Sequence, residues 1–576
     1  MRKFLLAMMA AVIAFSAAAQ PEKGQKVTLR LIETTDVHGS FFPYDFIKGK
    51  PRQGSLGRVS YYVDSLRKAL PDQVILLDNG DILQGQPICY YYNYVDTTSE
   101  NIAASVLNFM DYDANTFGNH DIETGHKVYD KWSSEVNCPS LGANILDKQT
   151  GFPYVVPYTI VERSDVRVAI IGMLTPAIPN WLAPKLWSNL EFVEMKASAK
   201  YWIDFLKKYE KPDVIVGLFH SGYDGGIVTH EYRENAAAQV AREVPGFDVI
   251  FYGHDHQRHN SFDKVNDGTE VLVLNPANNA MDVADAAISL EFDGKKWKVI
   301  DRKGQLVDVR KSKVNPAYHE HFYPEVQKVK AWVEQPLGTI TKTIDSHDCF
   351  FGNSEFNDLI LNMMMSITNA EIAFSAPLSP DAKLEKGTIT VGQMFDLYKF
   401  ENQLYVMGLT GEEIRKHLEM SYDNWVNTMS TSKDHFLKLK DGGNGKLWFT
   451  NATYNFDSAA GIDYEVDVTK PDGEKVKILR MSNGEPFDEK KVYKVAVNSY
   501  RGNGGGELLT RGAGIPQSQL ESRIIYKSDR DLRSYLMDEI KRQGTITPKA
   551  GKNWKFVPEK LVKPAAARDS KILFGE

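Results

Sequence analysis

The 576-residue chain is poor in cysteine, lacks an excess of positive charge and has no long apolar run after its first twenty residues. Cys89, Cys138 and Cys349 are an odd and sparse set, so at most one disulfide can form and folding must rest on core packing. Thiolate metal sites are excluded with them. No later stretch offers eighteen apolar residues in a row, which excludes a second membrane-length segment. Basic residues number 68 against 75 acidic ones, a net charge of −7. Duplex binding draws its affinity from clustered Lys and Arg, so no nucleic-acid duplex is expected as a partner, and a phosphate-bearing ligand must be held locally. With Gly 42 and Pro 25 the chain is too poor in both for a collagen-like or low-complexity polymer. Its length allows about three domains, or two large ones and a linker.

The first residues read MRKFLLAMMAAVIAFSAAAQ, a basic start, an apolar run from Phe4 to Phe15, and small residues ending at Ala19. That is the plan of a secretory signal peptide over residues 1–19, with an apolar run too short to span a bilayer. Removal of Arg2 and Lys3 takes the net charge from −7 to −9. The expectation is an exported protein, periplasmic or extracellular, free of the membrane after cleavage.

From residue 20 to 313, short apolar runs recur, each followed by polar or Gly-containing sequence: VTLRLIETTD, QVILLDNGD, RVAIIGMLT, DVIVGLFH and FDVIFYGHDH. Runs of this length suit strands buried on both faces, and the intervening SLGRVSYYVDSLRKAL and SAKYWIDFLKKYE have helical spacing. The class is α/β. Residues 314–338 read as an inter-domain helix between Pro316 and Pro336, residues 339–550 as a second α/β domain, and residues 551–576, with Pro558 and Pro564, as a loosely packed extension.

Five short motifs place Asp, Asn and His at the ends of the strand runs: Asp36-Val37-His38, Gly80-Asp81, Gly118-Asn119-His120-Asp121, His220, and Gly253-His254-Asp255-His256. Each is weak alone. Together they hold five of the thirteen histidines, in the place where α/β proteins bind ligands. Alternate residues of a strand point the same way, so Asp36 with His38, and His254 with His256, can each aim two groups at one point. Carboxylate, amide and imidazole donors suit divalent ions of borderline or harder character. Two ions about 3.5–4 Å apart need a shared carboxylate and clamp both oxygens of a phosphoryl displacement; Asp81 is the natural bridge.

The ordered set TTDVHG, DNGDILQG, FGNHD, FHSGYD and YGHDHQ resembles the calcineurin-like metallophosphoesterases. The C-terminal half resembles the substrate domain of secreted 5′-nucleotidases and 2′,3′-cyclic-nucleotide 2′-phosphodiesterase/3′-nucleotidases. The resemblance implies a four-layer α/β/β/α metallophosphoesterase sandwich followed by an α/β substrate-binding domain. It implies two divalent ions (Mn, Zn, Co, Fe or Mg), one on Asp36, His38, Asp81 and His256, the other on Asp81, Asn119, His220 and His254. His120 becomes the catalytic histidine that is not a metal ligand, meeting the substrate beside Asn119. Its orienting carboxylate is Glu123, three residues on, or the adjacent Asp121.

For 5′-nucleotidases the same resemblance implies an arginine-bearing glycine loop that grips phosphate, but the corresponding place reads FSAPLSPDAKLEKG, with Ser375-Ala376-Pro377 and no arginine. The stretches DLYKFENQLYVMGLTGEEI, TYNFDSAAGIDYEVDVTKP and VNSYRGNGGGELL look more like the cyclic-phosphodiesterase/3′-nucleotidase branch. Two aromatic rings that sandwich the base are implied at Phe456 and Tyr500, and stacking tolerates any base. The expected substrate is a small nucleotide, with 5′-nucleotidase or UDP-sugar hydrolase activity as the alternative. Thiosulfate-ester hydrolysis on a related scaffold would require carrier partners that nothing in the sequence suggests. A non-catalytic surface protein on a decayed scaffold would lack some ligand, and none of the eight metal and catalytic positions is missing.

Overall fold

The computed structural model describes residues 21–442 and 445–575; the expected signal peptide, residues 1–19, lies outside them. Two six-stranded sheets face each other in the N-terminal half. In the first, Lys26–Thr34, Val74–Asp78 and Ala114–Thr116 run parallel at the centre; in the second, Val166–Leu174, Val214–His220 and Val249–Tyr252 do. All but the short Ala114–Thr116 are the apolar runs of the sequence, and they are apolar on both sides for a reason. One face, including Leu29, Leu31, Ile75 and Leu77, meets Val168, Ile170, Val216 and Phe251 of the opposite sheet. The other faces are covered by helices. Leu56–Ala69, Ile102–Met110 and His126–Glu135 bury Val59, Val63, Val106 and Trp132 on the first sheet. Met195–Phe205 and Ala237–Glu243 bury Ala199, Ile203 and Val240 on the second. Four layers result, α/β/β/α, with every parallel strand ending at one edge of the sandwich.

The expected inter-domain helix is two short ones, Pro316–His321 and Tyr323–Val333, and they pack on the N-terminal half. Tyr318 is fully buried there and donates to Phe41 O at 3.0 Å. The second α/β unit starts at strand Pro336–Ile340 and centres on a five-stranded sheet that contains Ile372–Ser375, Gln403–Thr410 and Val492–Asn498. Helix Glu355–Thr368 and helix Gly411–Trp425 cover it, the latter started by a reciprocal Thr410–Glu413 capping box. All three cysteines are free.

The loose extension expected over residues 551–576 is instead built into the core. Strand Trp554–Val557 pairs parallel with Ile462–Asp467, and helix Glu559–Phe574 buries Val562 and Ala565. Pro564 lies inside this helix, against local preference, because tertiary contacts fasten it. The fully buried Asp569 accepts from Phe436 N at 2.7 Å and Leu437 N at 3.0 Å, and its other oxygen lies 2.6 Å from His435 Nδ1. Asp569→Ala strands two buried amides, at a cost of about 2–4 kcal/mol. Denaturant unfolding of the C-terminal half shifts to lower midpoint accordingly, whereas a loose tail would leave the midpoint in place.

Candidate metal centre

Each of the five motifs lies at or just beyond the carboxyl end of a parallel strand. Those strands end at Thr34, Asp78, Thr116, His220 and Tyr252, so Asp36, Asp81, Asn119, His220 and His254 reach one edge of the sandwich. Strand alternation is not what pairs Asp36 with His38 and His254 with His256, contrary to the sequence expectation. All four lie past the strand ends in left-handed backbone, with φ of +50°, +48°, +75° and +57°, and Asp81 joins them at +54°. Such residues cost about 1–3 kcal/mol each and persist only where the surroundings over-determine them. The tight turn, not the pleat, aims both side chains inward.

The centre of the cluster is dry: Asp36 and His220 are 0% exposed and Asp81 is 1% exposed. Asp81 Oδ2 lies 3.4 Å from His220 Nε2 and 3.9 Å from His38 Nε2, so it stands between two donor groups. Asp36 Oδ1 lies 3.2 Å from His256 Nε2 and 4.0 Å from His220 Nε2, without a hydrogen bond of proper geometry. Asn119 Oδ1 is 2.8 Å from His254 Nδ1 and 3.2 Å from His220 Nε2. Two groupings of ligand atoms fit a cation: Asp36 with His38 and His256, and Asp36 with Asp81 and His220.

Outer contacts decide where the imidazole protons sit. His220 Nδ1 donates to Asn79 O at 2.7 Å, and His38 Nδ1 to Gln84 O at 3.2 Å, which leaves both Nε2 lone pairs facing the cluster. His254 Nε2 donates to Glu234 Oε1 at 3.1 Å, which fixes the ring with Nδ1 facing Asn119 Oδ1 and the cluster. Carboxylate, amide and imidazole atoms converging at such distances in a buried pocket form a donor set that fits a divalent ion.

His120 and Glu123 stand beside this cluster. Glu123 Oε2 is 2.6 Å from His120 Nδ1, so of the two carboxylates it is Glu123 that meets the ring. Asp121 is engaged elsewhere: its oxygens accept from the backbone N–H of Asp81, Ile82, Leu83 and Gly118 at 2.7–2.9 Å, clamping two loops together. Burial opposes a charge on His120, but Asp81 and Glu123 outweigh it and lift its pKa to about 9. The approach of those loops needs glycine, since a Cβ on Gly118 would strike the Asp81 carboxylate.

The second half reaches the same place. The Phe400 ring lies parallel to His120, centroids 6.3 Å apart, and Asn402 Nδ2 donates to Glu123 Oε1 at 3.4 Å. Tyr454 stands edge-on to Phe400 at 6.2 Å and to Tyr500 at 6.0 Å.

A calcineurin-like phosphoesterase model matches residues 29–258, which span the seven candidate ligands and the His120–Glu123 pair, and a 5′-nucleotidase C-terminal domain model matches residues 336–511. The chain belongs to the calcineurin-like phosphoesterases that carry a 5′-nucleotidase C-terminal domain. It is 28% identical to the 2′,3′-cyclic-nucleotide 2′-phosphodiesterase/3′-nucleotidase of Haemophilus influenzae, over 97% of this chain and 92% of that one. The protein of the same name from Yersinia enterocolitica is 25% identical, over 96% and 92%. The 5′-nucleotidase precursor structure from Thermus thermophilus superposes with a TM-score of 0.64 at 22% identity, covering 92% of this chain and all of that one. Metal-dependent phosphoric ester hydrolysis is the chemistry of this family.

One expected site residue is misplaced. Phe456 is 0% exposed, stacked on Trp425 at 5.4 Å and edged by Phe449 and Phe350, so neither face of its ring is open to a base. Tyr500 does face the cleft, but its neighbours there are Tyr454, 39% exposed, and Phe400 beyond it. Phe400 lies in the quoted stretch DLYKFENQLYVMGLTGEEI, in the loop between helix Val391–Leu397 and strand Gln403–Thr410, and an aromatic with an Asn two residues on was the only signal there. Glu234 was equally silent, a charge in a polar loop. Phe456→Ala empties a core site and destabilises the C-terminal half by about 3–5 kcal/mol, while Tyr454→Ala changes its unfolding midpoint little. Thermal or denaturant melts of the two variants check this ordering.

Proposed function

We propose that this chain is an exported nucleotide phosphohydrolase that opens 2′,3′-cyclic nucleotides and then removes the remaining 3′-phosphate. The observation that carries the reading is the shared position of Asp81 between two converging donor sets, with His120–Glu123 beside them and aromatic rings of the second half facing that pair. Asp36, His38, Asp81 and His256 would hold one divalent ion, and Asp81, Asn119, His220 and His254 the second, from among Mn, Zn, Co, Fe or Mg. Bound there, two such ions supply Lewis-acid activation of water and neutralise charge growing on the phosphoryl oxygens.

The chain's own groups do the rest. Asn119 and His120 bring an amide and an imidazole to the phosphoryl group. Glu123 fixes the His120 ring through Nδ1, which leaves Nε2 to give its proton to the departing ribose oxygen. Phe400, Tyr454 and Tyr500 offer ring surface to a base, and stacking of this kind accepts any base. Residue 1–19 composition supports export, and among the described residues no helix is long and apolar enough to cross a membrane.

The names of two relatives support the cyclic and 3′-phosphate chemistry. A 5′-nucleotidase reading, supported by the name of the structural neighbour, stands second because the turn at Ser375-Ala376-Pro377 carries no arginine. Phosphate release from 2′,3′-cyclic AMP and 3′-AMP at rates at least about tenfold above 5′-AMP is expected with added divalent ion. The reverse preference would overturn the proposed substrate. Glu123→Gln removes the negative partner that raises the His120 pKa. The protonated acid is then lost at lower pH, so the alkaline limb of kcat/KM moves down and activity at neutral pH falls about tenfold or more. A pH–rate profile superimposable on that of the unaltered chain would contradict the pairing.

A further inference from the structure

Two cations in the cleft between the halves are left without a carboxylate partner. Arg52 follows the small hairpin of Tyr44–Asp45 and Lys50–Pro51, and its Nη2 donates to Asn279 Oδ1 at 2.5 Å. That asparagine is part of the metal-centre rim: Asn279 N donates to Asp36 O at 2.9 Å, and the adjacent Asn278 amide lies 2.8 Å from His256 Nδ1. Lys399 comes from the other half, directly before Phe400, with its ammonium 5.5 Å from the Phe400 ring whose plane parallels His120. The hairpin is pinned to the segment bearing Lys399 by the Lys48–Asp396 pair at 2.6 Å, and the two cations lie within electrostatic reach of each other.

Neither forms an ion pair among the described residues. Both lie at the cleft rather than in the core, Arg52 half-buried and Lys399 exposed; the surrounding protein disfavours both charges, with Arg52 further disfavouring that of Lys399, and Asp45 and Asp381 act on them only from beyond contact distance. Two like charges brought together at one solvent-open cleft repel, and an anion held between them offsets that repulsion. The other arginines near the cleft are committed: Arg501 to Asp457 at 2.8 Å, and Arg533 to Glu401 at 3.0 Å.

We infer that Arg52 and Lys399 form a two-domain grip for a phosphoryl group of the ligand, one cation supplied by each half of the chain. The grip deepens the proposed reaction and rests on it for its place beside the metal centre. The phosphoryl group is either the one removed or a second one on the same nucleotide. Requiring both halves, it makes the approach of the substrate domain dependent on a phosphate in the cleft.

Arg52→Gln, Lys399→Gln and the double variant of the full chain, loaded with divalent ion, test it with inorganic phosphate, 3′-AMP and adenosine 3′,5′-bisphosphate. If the removed phosphate is gripped, each single variant weakens inhibition by inorganic phosphate and raises KM for 3′-AMP about tenfold, with Arg52→Lys restoring part of the loss. If a second phosphate is gripped, those two constants hold and only the bisphosphate loses affinity. Unchanged constants for all three probes in the double variant overturn the grip. Should the chain prove inactive on nucleotides, the proposed reaction fails, yet the grip is still read by calorimetric binding and thermal stabilisation with inorganic phosphate and the bisphosphate. Their equality in the unaltered and double-variant chains is the contrary result.

Discussion

One buried carboxylate organises the N-terminal half. Asp81 is almost wholly enclosed, sits between the Nε2 atoms of His38 and His220, and accepts the backbone N–H of His120 at 2.8 Å. A group so placed is held by its backbone. Asp121 takes four amides of the two loops on which Asp81 and Asn119 ride, and Gly118 clears the space between them. Five residues of the cluster carry left-handed backbone, together costing several kcal/mol by the usual scale for such strain. The double sheet meets that cost, since both faces of the parallel strands are buried and their ends cannot move independently.

The second half extends the arrangement. The Phe400–Asn402 segment touches both members of the His120–Glu123 pair, while the ring of Phe400 leads through Tyr454 to Tyr500. Beneath that path lies Arg501, which binds Asp457 and reaches the carbonyls of Tyr454 and Gly505, tying the loop of one tyrosine to the glycine-rich loop after the other. The rings proposed to stack on a base and the His120–Glu123 pair are thus linked by contiguous packing. Cations held without carboxylate partners at the same junction extend that link to the ligand's own charge.

Much of this is legible in the sequence. A strand buried on both faces must be apolar throughout, so the runs ending in TTD, DNGD, FH and YGHDH announced parallel strands and the edge where polar residues gather. Donor types at those ends named the chemistry, because Asp, Asn and His without cysteine leave few ions that fit. Their aiming was not legible as alternation, since left-handed turns leave no mark in composition when the residue is Asp or His rather than Gly. The aromatics of the second half were harder still. Phe456 and Tyr454 are two residues apart in one loop, and only packing sends the former under Trp425 and the latter to the cleft. Residues 551–576 misled because prolines argue for irregular chain while one buried carboxylate, Asp569, holds a helix there.

The central claim is that Asp81 is shared by two cations. Divalent-ion content per chain, measured by elemental analysis after equilibration with Mn or Zn, tests it most directly against Asp81→Ala and against Glu419→Ala, a control at a buried carboxylate on helix Gly411–Trp425 of the second half. Two ions per chain in the unaltered protein and in the control, falling to one or none in Asp81→Ala with the fold retained by circular dichroism, is the predicted result. Two ions retained by Asp81→Ala would contradict it.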